Sequence, residues 1–137
     1  ALPTAVANAD RTNVVADKFG RQVMLPITIR DLIGTQTTTI SASTAETTIV
    51  TAAASVFNDL VMLIISNTSA STNTRIDFRD TTAGSVLFSI QSNGGQPPVG
   101  FAISAPIPQT SVNTNWTAQC ATSTTDIRVT AVFAKNR

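Results

Sequence analysis

The chain has 137 residues, nine basic and eight acidic, for a formal net charge of +1, and it contains no histidine. Only 12% of it is charged, against a usual ~25%, and no stretch is basic enough to neutralise several phosphates, which argues against a nucleic-acid partner. The longest apolar run, Leu60 to Ile65, falls far short of the ~18–20 residues that a membrane-crossing helix needs.

A chain of this length forms one domain that buries roughly 68–70% of its unfolded surface, so a single core is feasible without staples. Ser and Thr fill the place left by charge, at about a quarter of the residues. Thr and Val restrict χ1 in a helix and pack well on a pleated surface, so the composition points to β structure.

The opening segment, Ala1 to Gly34, holds Asp10, Arg11, Asp17, Lys18, Arg21, Arg30 and Asp31. Its first residues, "ALPTAVANAD", place no basic residue before the apolar stretch, and that stretch is too short and mixed for a secretory core. Further on, "NVVADKFGRQVMLPITIR" predicts a small hairpin, with Gly20 available for a positive φ at the turn. Pro26 lacks a backbone donor and puts its part of that hairpin on an edge or outside a strand. Two short strands are not stable alone. This arm, residues 1–34, is therefore expected to dock on its own chain or on a neighbouring one.

From Thr35 to Arg137 short apolar stretches alternate with turn signals, the pattern of a sandwich. Strands are expected near Thr37–Ser41, Thr47–Ala53, Asp59–Ser66, Thr74–Arg79, Ser85–Gln91, Gly100–Ser104, Trp116–Ala121 and Asp126–Ala134. In the fourth, Ile76 and Phe78 oppose Arg75, Asp77 and Arg79. In the fifth, Val86, Phe88 and Ile90 oppose Ser85, Leu87 and Ser89. In the last, Ile127, Val129, Ala131 and Phe133 oppose Arg128, Thr130, Val132 and Ala134. Each set gives a strand one apolar face. The run "LVMLII" does not alternate, which predicts cover on both faces, from the arm or from a neighbouring subunit. "STAETTIVTAAASVF" carries capping-box spacing at Ser43 and Glu46, but its Thr, Ile and Val favour strand. The fold class expected is all-β: an antiparallel β-sandwich, jelly-roll-like with about eight strands, preceded by an extended arm or β-hairpin.

Chemistry finds few candidates. Without histidine the commonest general base and metal ligand is missing, and neither a cofactor nor a metal is expected. Asp77 and Asp80 are interleaved with Arg75 and Arg79, which reads as a solvated cross-strand charge ladder rather than an acid/base pair. Cys120, the single cysteine, is in phase with Trp116 and Ala118 and reads as a buried structural thiol. Asn93-Gly94-Gly95 lacks the Lys and Ser/Thr of a phosphate loop and reads as a turn. Trp116 reads as a core or interface aromatic before a sugar-stacking platform. Asn67-Thr-Ser and Asn115-Trp-Thr match the glycosylation pattern and are expected to be chance occurrences. The chain is not expected to be an enzyme.

No charged residue occurs from Thr81 to Thr125. Soluble monomers keep a mixed charged surface, sandwich edges invite pairing unless charged or covered, and interface cores are depleted in Lys, Glu and Asp. Such a surface suits a protein largely occupied by partner subunits.

Three stretches, "FNDLVMLIISNTSASTNTRIDFRDTTAGSVLFSIQ", "PIPQTSVNTNWTAQCATSTTDIRVTAVFAKNR" and the turn "DKFGRQV", resemble small structural proteins of tailed-bacteriophage virions. The resemblance spans about Thr35 to Arg137 and, more weakly, the arm. It implies a decoration or cement protein, which binds the outer surface of the phage head, has the major capsid protein as partner and is often a homotrimer. Another virion role, as head fibre, neck or tail component, is the alternative, as is a carbohydrate-binding module using Trp116 and nearby Asn residues. No family motif fixes the capsid contacts. From the chain itself, Arg11, Phe19, Arg21, Met24 and Arg30 of the arm are the candidate capsid or subunit interface, able to add strands or lie across neighbours.

Overall fold

The computed structural model describes residues 32–124 and 126–136. Eight strands follow in chain order: β1 (Ile33–Ser41), β2 (Thr47–Val50), β3 (Phe57–Asn67), β4 (Thr74–Arg79), β5 (Phe88–Ser92), β6 (Val99–Ile107), β7 (Trp116–Cys120) and β8 (Asp126–Asn136). They form two antiparallel four-stranded sheets, ordered β1-β8-β3-β6 and β2-β7-β4-β5. The pairing is nested: β4 with β5, β3 with β6, β2 with β7 and β1 with β8. One long hairpin is in effect rolled up, and rolling adds the β3–β8 and β4–β7 ladders. This strand order is that of a jelly roll, an antiparallel double-sheet β-sandwich.

The apolar side chains alternate as the period of two requires. Ile40, Leu60, Leu63, Ile65, Ile127, Val129, Ala131 and Phe133 come from the first sheet. Ile49, Val50, Ile76, Phe78, Trp116, Ala118 and Cys120 meet them from the second. Phe78 stacks on Phe88 with ring centroids 4.9 Å apart, the offset geometry that aromatic pairs favour. Burying one such aliphatic or aromatic side chain contributes roughly 1.5–3 kcal/mol.

The non-alternating run in β3 has a local explanation. Against β8, β3 shifts register between Leu60 and Met62, so Val61 is an extra residue in a β-bulge; against β6 the surplus lies on the other strand, between Ala102 and Ile107. Leu60 and Leu63, three apart, therefore both face the core, and Met62 and Ile64 face outward. Ile64 is 38% exposed: within the described residues the expected second cover is not supplied.

Several expectations need correction. Val86 is exposed, not part of the core face, because β5 begins only at Phe88. β2 is a strand that ends at Val50. Ser43 Oγ accepts a hydrogen bond from the Ala45 amide (3.0 Å), a local turn rather than a helix cap. β6 runs from Val99 through Pro106 to Ile107, past the expected end near Ser104. The predicted hairpin around Gly20 lies outside the described residues.

Candidate interaction surfaces

The polar residues that looked most like chemistry are structural. The Asp77 carboxylate accepts from Arg75 Nε (2.8 Å) and Nη2 (3.0 Å), and Ser89 Oγ donates to it at 2.6 Å. The Arg75 guanidinium, with the Ser89 hydroxyl after it, holds its pKa below 3.8 against the opposing effect of burial. Asp80 accepts from the amide (3.0 Å) and hydroxyl of Thr110. Both acids are buried, so the expected solvated ladder is instead a set of internal ties. Asp80 fixes the loop after β4 to the loop after β6, and Asp77 ties β4 to β5.

The same holds along the outer face of the β2-β7-β4-β5 sheet. Arg79 donates to Gly84 O (3.0 Å) and Gln119 Oε1 (2.9 Å). Glu46 accepts from the Ala83 amide (3.1 and 3.0 Å) and from Thr117 Oγ1. Asp59, at the sandwich end, takes the Gln109 amide (2.9 Å) and Asn136 Nδ2. These charges bond to the subunit's own loops and neighbouring strands.

No group of three or more His, Cys, Asp or Glu that could hold a metal exists among the described residues. Cys120 is buried, and loss of solvation pushes its pKa up although a hydrogen bond with Thr74 opposes this, so it is no nucleophile. Trp116 is 0% exposed, and its Nε1–H donates to Asn58 O at 2.6 Å. It is a core aromatic and cannot stack on a sugar. Asn115 and Asn113 are also committed, accepting from the amides of Ala52 (2.7 Å) and Ser55 (3.0 Å). Asn93-Gly94-Gly95 is a turn: the Gly94 amide donates to Asn73 Oδ1 (3.0 Å) and the Gly95 amide to Ser69 O (2.8 Å). A Cβ on Gly94 would lie 2.7–2.8 Å from backbone atoms of Ser71 and Thr72, so the chain approaches there as only glycine permits.

A different surface emerges on the β1-β8-β3-β6 sheet. Register places Thr35, Thr37 and Thr39 opposite Val132, Thr130 and Arg128, which in turn face Met62, Ile64 and Ser66. Gly100 and Ala102 of β6 complete the face beside Ile64 and Met62. Its middle is apolar, from Met62, Ile64 and Val132. Its flank is a threonine row, with Thr37 Oγ1 and Thr130 Oγ1 2.9 Å apart. Its charges lie toward the ends, Arg128 and Asp126 at one and Asp59, opposite Ala134, at the other. The sequence carried a signal for this face in the unbroken run "LVMLII" and in Val132 among otherwise outward polar positions.

The candidate interface residues Arg11, Phe19, Arg21, Met24 and Arg30 all lie outside the described residues. No protein-family model matches the chain, and neither do curated proteins or solved structures.

Proposed function

We propose that this protein is a non-catalytic decoration, or cement, protein of a tailed-phage head, binding the outer surface of the shell as a homotrimer and bracing the major capsid protein. The observation that carries the reading is the outer face of the β1-β8-β3-β6 sheet: apolar in its middle at Met62, Ile64 and Val132, charged only toward its ends, and with Ile64 left 38% exposed among the described residues. Interface cores combine apolar side chains with depleted charge in this way. The opposite sheet turns its charges onto its own loops, which suits it to face solvent. In this reading Arg11, Phe19, Arg21, Met24 and Arg30 of the arm add contacts between subunits or with the shell. The sequence resemblance supports a virion role.

Reconstruction of purified particles tests the position. Decoration requires many copies spread over the shell, whereas density confined to a neck, fibre or tail favours the alternative virion role. Substituting Ile64→Asp tests the surface. At 38% exposure the variant is expected to fold normally and to bind empty heads at least about tenfold more weakly. Unchanged binding would remove this face from the interface.

A further inference from the structure

Among the described residues four strands form sheet edges: β1 and β6 in one sheet, β2 and β5 in the other. The β1/β2 side of the sandwich is tied shut. Gln36 Nε2 donates to Thr51 Oγ1 (3.3 Å), Gln36 Oε1 accepts from the Thr51 amide (2.9 Å), and Thr38 Oγ1 donates to Thr48 O (3.1 Å).

The β5/β6 side is open. Phe101 and Val99 pair with Leu63 and Ile65, so their side chains belong to the core face. Yet they are 37% and 47% exposed. A cleft of about 220 Å³ opens beside them, lined in part by Ile65, Ile90 and Pro97. β6 is nine residues long and uncharged, and among the described residues nothing pairs with its outer edge. A long, uncharged, apolar edge is a template for another strand.

We propose that residues 23–29 of a second copy's N-terminal arm add to β6 as a fifth strand and cover this mouth. The segment "VMLPITI" alternates, with Val23, Leu25, Ile27 and Ile29 in one set and Met24, Pro26 and Thr28 in the other. In a strand, residues of one set share a face and direct their backbone groups to the same neighbour. The apolar set bonds to β6 and lays its side chains over Val99, Phe101 and the cleft. Pro26, in the other set, then points its donor-less nitrogen away from β6, where an edge strand tolerates proline. It also stops a further strand from adding.

Reach decides that the arm comes from another copy. The described chain enters β1 at Ile33, at the opposite edge of the same sheet. A strand outside β6 lies four inter-strand spacings from β1, about 19 Å. The four residue steps from Ile29 to Ile33 span at most about 14 Å. Each copy thus donates one arm and accepts one, a heterologous contact that closes into a ring such as a trimer when the rotation permits. This inference deepens the self-association in the reading above and is independent of the shell.

The test uses full-length chains. Ile27→Cys and Phe101→Cys are placed on separate, differently tagged copies, co-expressed, and treated with a short bismaleimide that tolerates a slip of a residue or two. Cys120 is buried and stays unreactive. A product joining the two tags is expected. The absence of such a product overturns the proposal. Phe101→Glu is expected to weaken self-association at least tenfold in sedimentation velocity, and an unchanged assembly overturns the proposal. An intact assembly that ignores phage heads counts against the shell reading alone.

Discussion

Asp77 shows how a charged residue is used here. Its carboxylate sits between Arg75 and Ser89, and its folded-state pKa lies below 3.8. Because the unfolded chain binds the proton more tightly, the stabilisation is complete above about pH 5 and is lost as pH falls through the folded value. Asp77→Asn is therefore expected to lower the thermal midpoint at pH 6 and to converge with the unsubstituted protein only as pH falls below the lowered folded-state pKa. Midpoints that run parallel across that range would show that the pair contributes no pH-linked stability. Alternation put Asp77 on the outward face correctly, but its burial depends on Ser89 of β5 and Arg75 closing over it.

At the scale of elements, the start of β3 and the loop after β6 are tied to each other. Gln109 is buried, and its Oε1 accepts from the Asn58 amide (2.8 Å) while its Nε2 donates to Thr114 O (2.9 Å). Its own amide donates to Asp59 (2.9 Å). One side chain thus holds the start of β3, the loop and the approach to Trp116 together. Gln109→Ala leaves the buried Asn58 amide without its partner and is expected to cost about 1–3 kcal/mol, measured by denaturant unfolding. A loss below about 0.5 kcal/mol would mean that the loop relaxes and another acceptor takes over. β4 runs from Thr74 to Arg79 as its alternation predicts. The true end of β6 could not be read in the same way, because Pro106 signals a break, while an edge strand accepts a proline that a central strand would not.

For the whole molecule, the nested pairing places most ladders between residues far apart in sequence, so this chain belongs with the slower-folding β topologies. The assembled state is expected to change little between about pH 6 and 8. No side chain with an ordinary pKa titrates there without histidine, and burial moves Cys120 upward, away from that window. Sedimentation across this range checks it: a sharp dissociation near neutrality would require a titrating group that the chain's interfaces are not expected to contain. The two faces of the sandwich divide the work. One sheet turns its charges onto its own loops, and the other presents Met62, Ile64 and Val132 among threonines.

The sequence by itself determined the all-β class, the number of strands and the inward sets of β4 and β8. These follow from a period of two and from turn residues, both local properties. Burial of Trp116 and Cys120 was legible for the same reason. Only the tertiary structure decided which strands pair within the expected jelly-roll-like sandwich, the bulge at Val61, the internal ties of Asp77 and Asp80, and the contrast between a closed β1/β2 side and an open β5/β6 side. Each of these depends on which distant strand lies alongside. Pairing partners are selected by packing across the whole chain, and a local pattern carries no record of that choice.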